Sequence, residues 1–152
     1  MPHVLELTLA LLKPDIVRVP FAVQEVRNKI LSSGFLVVRS SEIKLSEQKV
    51  TAFYQEHAGK FFCHRLKTFM RSGPIWALIL AHPNAIEMWR NLMGHSKVCK
   101  IQYGNEWSLR GLYGLTDTRN CTHGSDSRTS AEMEIKLIFP EFDIDLWYRK
   151  HQ

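Results

Sequence analysis

Hydrophobic and polar positions along this chain alternate between two periods. LELTLALLK, FLVVRSSEIK and GPIWALILAH are short apolar runs rich in branched residues, which predicts strands, the last introduced by a Gly-Pro turn. Between them the apolar positions recur at helical spacing. FAVQEVRNKILSSG places Val23, Val26, Ile30 and Leu31 on one face and stops at Gly34. Ser46, with Gln48 and Lys49 behind it, opens a second helix through Phe53 and Tyr54. FFCHRLKTFM aligns Phe62, Leu66, Phe69 and Met70, and PNAIEMWRNLM turns Ile86, Trp89, Leu92 and Met93 inward behind a cap at or beside Asn84. Ala131, Ile135, Leu137 and Ile138 predict a last amphipathic helix. The pattern describes one α+β domain over residues 1–152, with helices covering one face of a largely antiparallel sheet. Residues 94–108 are the exception: a polar stretch without period, and long ordered loops in compact domains are often functional.

Composition narrows the classes. With 152 residues, 45% of them hydrophobic, the chain can bury a core of its own. It has no apolar run near the ~18 residues of a membrane span. The first strand begins almost at once, so no signal peptide is expected. Cys63, Cys99 and Cys121 are odd in number and scattered, so neither a disulfide framework nor a CxxC metal pair is expected. An intracellular, reducing compartment follows, cytoplasmic or mitochondrial alike. The net charge of +5 suits an anionic partner, whether nucleotide, nucleic acid or membrane surface.

The segment NCTHGSDS, residues 120–127, allows two roles for its histidine. Ser125, Asp126 and Ser127 suit a helix N-terminus, where side-chain oxygens accept from orphan N–H groups, and His123 would then pack. The alternative is chemistry, and the rest of the chain bears on it. Lys13 ends the first strand, Arg90 precedes the long loop, Arg110 follows it, Ser96 lies within it, and Asn120 sits three residues before His123. Two guanidinium forks bracketing a loop, with a lysine and an amide, form a candidate clamp for a polyphosphate.

LLKPD, FYQEHAGKFF, MRSGP and NCTHGSDS with SAEMEI together resemble the nucleoside diphosphate kinases, from Leu7 to about Trp147. LTLALLKPD, GLTDTRN and the loop around Ser96 are most similar to the divergent type-6 branch of that family. The resemblance implies a ferredoxin-like βαββαβ sandwich with a four-stranded antiparallel sheet. It implies ping-pong transfer of a γ-phosphate from a nucleoside triphosphate to a nucleoside diphosphate through a phosphohistidine, with Mg²⁺ on the nucleotide phosphates. By that resemblance His123 is the phosphorylated residue and Glu134 orients its ring. Lys13, Tyr54, Arg90, Arg110 and Asn120 match phosphate and ribose contacts, and Phe62 the aromatic under the base.

The residue chemistry agrees with the resemblance. An imidazole nucleophile needs one nitrogen free and the other held by an acceptor. Glu134 shares a helix face with Ser127 and Ala131 and is spaced to supply it. Phosphoryl transfer asks the protein chiefly for positioning and cations.

The chain departs from the family in three places. Serine replaces threonine at Ser96, which keeps the hydroxyl. GHSKVCKIQYGNEWS is longer than the family loop and lacks its proline and glycine, which predicts a monomer or dimer in place of the family's hexamer. Asp117 stands where an aliphatic residue covers the base, and a carboxylate there repels a triphosphate, which predicts low activity. Two other classes stay open. One is a weak or silent member serving as a nucleotide-responsive protein-binding module. The other is an RNA-recognition module, although RGLYGLTD lacks the successive aromatics of that class; no specific nucleic acid and no membrane partner is expected.

Overall fold

The computed structural model describes residues 4–55, 59, 63–94, 108–113 and 122–151. Strands β1 (Glu6–Leu12), β2 (Leu36–Ile43), β3 (Ile75–His82) and β4 (Thr122–Gly124) form a four-stranded sheet in the order β2-β3-β1-β4. Every neighbouring pair is antiparallel. Helices α1 (Pro14–Val17) and α2 (Pro20–Ser32) connect β1 to β2, and α3 (Glu47–Phe53) and α4 (Cys63–Met70) connect β2 to β3. Helices α5 (Ala85–Met93) and α6 (Leu109–Tyr113) lie between β3 and β4, and α7 (Arg128–Ile138) and α8 (Ile144–Lys150) follow. The expected βαββαβ order is present, with the α3–α4 pair inserted in its middle connection.

Helices occupy both faces of the sheet, where the sequence pattern suggested one. The reason lies in β1 and β3, whose apolar runs are nearly unbroken and leave no polar side to face water. Leu7, Leu9 and Leu11 of β1, with Ile75, Ala77 and Ile79 of β3, join a core with Val50, Met70, Ile135 and Tyr148 from α3, α4, α7 and α8. Ala10 and Leu12, with Leu78 and Leu80, point the other way into a second core with Val26, Ile30, Trp89 and Leu109 from α2, α5 and α6. Strand β2 is an edge strand with a register irregularity between Val37 and Arg39, and its Leu36 and Val37 are exposed. Leu31 also departs from expectation. The buried stripe of α2 is Ala22, Val23, Val26 and Ile30, and Leu31 falls beyond its edge into solvent.

Three helix starts are capped as their sequences require: Ser46 accepts from the Lys49 N–H, Ser127 from the Ser130 N–H, and Asp143 from the Leu146 N–H. Asn84 holds the Ncap position of α5, but its side chain donates to Glu87 instead of capping. The second cap matters for function, because Ser127 launches α7 directly after β4. That places an edge strand of only three residues and the first turns of a helix side by side.

Candidate active site

His123 is the middle residue of β4 and pairs with Leu11 of β1. Its Nε2 lies 3.0 Å from Glu134 Oε1, which reaches back from the second turn of α7. Both side chains are about four-fifths shielded from solvent, with relative exposures of 22% and 18%. The Ser125 hydroxyl donates to the same Glu134 oxygen at 2.8 Å and accepts from the Leu9 backbone N–H at 3.3 Å. Ser125 is fully buried, so it is not the helix cap that its neighbours suggested. Facing a carboxylate that only accepts, the neutral ring has its proton on Nε2, and Nδ1 is then the nitrogen with a free lone pair.

His123 and Glu134 line a cleft of about 990 Å³, together with Phe53, Tyr54, Arg90, Gly94, Arg110 and Asp126. Of the residues singled out from sequence, His123, Glu134, Tyr54, Arg90 and Arg110 are therefore brought together. Lys13 is buried and directly follows Leu12, the strand partner of Thr122. Phe62, Ser96 and Asn120 lie outside the described residues, as does Asp117.

The electrostatics of the cleft are mixed. Burial, with the nearby Glu134 carboxylate and the Cys63 thiol adding to it, pushes the Tyr54 phenol well above its ordinary range. Tyr54 therefore stays a proton donor at any physiological pH. A hydrogen bond from Ser130 holds the Asp126 carboxyl below its ordinary value, helped by the charge of Arg90. Arg110 is buried, and its guanidinium spans two main-chain carbonyls: Nη1 donates to Gly94 O at 2.9 Å and Nη2 to Thr122 O at 3.0 Å. Gly94 leaves α5 with φ +87°, and a side chain there would strike Ser108.

Three neighbours of His123 escaped the sequence reading in their actual role. The ring of Phe53 packs edge-on against the imidazole, with centroids 4.8 Å apart and planes at 68°. The indole N–H of Trp89 donates to the His123 carbonyl at 3.0 Å. Gly124 gives that indole room, since a Cβ there would stand 2.5 Å from Trp89 Cδ1. The glycine between His123 and Ser125 was the available signal, because glycine commonly marks a close approach of backbone to another group.

Comparison with known proteins places these features in context. The family model described as Nucleoside diphosphate kinase matches residues 6–144. The chain is 50% identical over 151 residues to the mouse protein named Nucleoside diphosphate kinase 6, covering 99% of this chain and 80% of that one. Its fold superposes on the Aquifex aeolicus nucleoside diphosphate kinase with a TM-score of 0.84 at 30% identity, covering 89% and 95% of the two chains. A halophilic nucleoside diphosphate kinase from Halobacterium salinarum, solved in complex with CDP, gives a TM-score of 0.83 at 27% identity, covering 94% and 97%.

Proposed function

The chain belongs to the nucleoside diphosphate kinase family, and from that premise we propose that it moves the γ-phosphate of a nucleoside triphosphate to a nucleoside diphosphate through phospho-His123. The contact that carries this reading is His123 Nε2 to Glu134 Oε1 at 3.0 Å, inside a cleft that also holds Arg90 and Arg110. With Nε2 engaged, Nδ1 attacks the γ-phosphorus. The N–P bond forms as the bond from that phosphorus to the β,γ-bridging oxygen breaks, and the diphosphate departs with the electron pair. A second diphosphate then attacks the phosphohistidine with a terminal oxygen, the N–P bond breaks, and the imidazole regains its lone pair. Glu134 stabilises the positive charge that grows on the ring during attack, because its oxygen already receives the Nε2 proton.

Arg90 and Arg110 supply cations around the phosphates, with Lys13 as a third and Ser96 as a hydroxyl donor. Tyr54 supplies an O–H donor that does not ionise, and Asn120 and Phe62 serve the ribose and base. Among the described residues no three His, Cys, Asp or Glu side chains converge on a metal position. Mg²⁺ would come with the substrate, on the nucleotide phosphates, where it offsets their charge. No described helix is long and apolar enough to cross a membrane. For the assembly we keep a monomer or dimer, and sedimentation at physiological salt tests it: a dominant species six times 17.7 kDa would overturn it.

The deciding experiment incubates the native chain and His123→Ala with γ-labelled ATP and Mg²⁺. Acid-labile, base-stable label on the native chain alone is the expected result. Label retained in a folded His123→Ala chain would assign the phosphate to another residue.

A further inference from the structure

We propose that Trp89 is a positioning residue for His123, and that it sets the distance between the nucleophile and the arginine beside it in sequence. The inference rests on the phosphohistidine reading above and adds a residue to it. Strand β4 has three residues and sits at the sheet edge, so β1 is its strand partner in the sheet and the ladder that holds it is short. A strand so brief needs holding from outside its ladder. The indole N–H of Trp89, aimed at the His123 carbonyl at 3.0 Å, is such a hold on the nucleophile's own backbone.

Several observations make this contact directional. Trp89 is fully buried, and an indole N–H is a donor with one fixed direction, so its bond cannot be exchanged for one to water. The ring lies flush on Gly124, where an added Cβ would approach Cδ1 to 2.5 Å and Nε1 to 2.8 Å. Phe35 backs the indole in an edge-on contact with centroids 6.5 Å apart and planes at 87°. The indole is thus packed by Gly124 and Phe35 and has one polar outlet.

The consequence for catalysis follows from the helix that carries it. Trp89 and Arg90 are consecutive residues of α5, so one rigid element presents a cation to the cleft and grips the nucleophile's main chain. Glu134 governs how the imidazole turns; Trp89 governs where it hangs. An error of about 1 Å in that placement is enough to cost about a hundredfold in rate when reacting atoms must sit in near-attack contact.

The test replaces Trp89 by benzothienylalanine, which has the shape of tryptophan with sulfur in place of N–H, and separately makes Trp89→Phe. Single-turnover labelling from γ-labelled Mg·ATP should slow by about tenfold in both. Affinity for Mg·ATP should hold within twofold, which lost packing of the cleft would not allow. Labelling within twofold of native in the benzothienylalanine chain overturns the proposal, and so does a rate loss matched by lost ATP affinity. A second readout needs no catalysis. The ¹⁵N resonances of the His123 ring, held as one tautomer while Glu134 grips Nε2, should average toward two tautomers once the backbone shifts. Unchanged ring resonances in both variants also overturn it. Should the native chain take no label while the variants show that averaging, the phosphohistidine reading falls and the positioning contact stands.

Discussion

The hydroxyl of Ser125 donates to Glu134 Oε1 at 2.8 Å, the same oxygen that receives His123 Nε2 at 3.0 Å. One carboxylate oxygen is thereby fixed from two sides, so the imidazole meets an acceptor that cannot swing away. The same hydroxyl accepts from the Leu9 N–H of β1, which joins the sheet to α7 through a single buried side chain. Ser125→Ala should remove both links. We expect a loss of about 1–3 kcal/mol in stability, from a buried donor left without its acceptor, and about tenfold slower labelling of His123. Urea melts and single-turnover labelling measure the two effects; an unchanged labelling rate would mean that Glu134 holds its position unaided.

Ser127 provides the contrast. Its side chain accepts from the Ser130 N–H at the start of α7, away from the imidazole. Ser127→Ala should cost about 1 kcal/mol, the ordinary value of a lost N-cap. Labelling of His123 should be unaffected once the variant is folded. A rate loss equal to that of Ser125→Ala would show that the cap itself positions Glu134.

Gly124 and Trp89 predict a coupled pair. An added methyl at position 124 would meet the indole at 2.5 Å and Met93 Cε at 2.7 Å. The methionine end can shift, whereas the buried indole cannot. Gly124→Ala should therefore destabilise by about 1–3 kcal/mol. In a Trp89→Leu background the same substitution should cost less, with a coupling of about 1 kcal/mol in a double-mutant cycle. Additive melting shifts would contradict the clash.

Alkaline pH should expose the burial of Tyr54. In the unfolded chain its phenol ionises near 10.0, while in the fold it holds its proton to higher pH. The folded state thus binds a proton that the unfolded state releases, so the stabilisation is fully present below pH 10 and is lost as pH rises above it. Tyr148, also raised by burial, adds a weaker effect of the same sign. Urea midpoints between pH 8 and 11 should fall for the native chain and fall less for Tyr54→Phe. Parallel curves would assign the alkaline loss elsewhere.

The elements of the fold were legible because periodicity depends on local patterning: β1, β3, α3, α5 and α7 stand close to where the sequence placed them. The number of covered faces was harder, because an unbroken apolar strand such as β1 does not say what covers each side. In the candidate site, His123 and Glu134 were visible through their motif and spacing, and the structure adds their contact. Ser125 suited a helix N-terminus along with Asp126 and Ser127, and only its zero exposure and its partner on β1 set it apart. Trp89 was read as core, which it is. Its N–H acts across 34 residues of sequence, and no local pattern reports such a bond.

Arg110 and Arg90 looked equivalent as two arginines bracketing a loop, and the structure separates them. Arg110 is buried and its guanidinium joins Gly94 O, where α5 ends, to Thr122 O, one residue before His123. Arg90 is exposed on α5, facing the cleft. A lysine in place of Arg110 keeps the charge but is a point donor on a flexible stem, and it cannot reach two carbonyls with a fixed fork. Arg110→Lys should therefore lose about 2 kcal/mol of stability along with its share of phosphate binding. Arg90→Lys should leave stability within about 0.5 kcal/mol, as surface substitutions do, and weaken only nucleotide binding. Melting curves paired with nucleotide titrations separate the two residues. Equal melting temperatures for Arg110→Lys and the native chain would show that the carbonyl bridge contributes nothing to the fold, leaving Arg110 a ligand for phosphate alone.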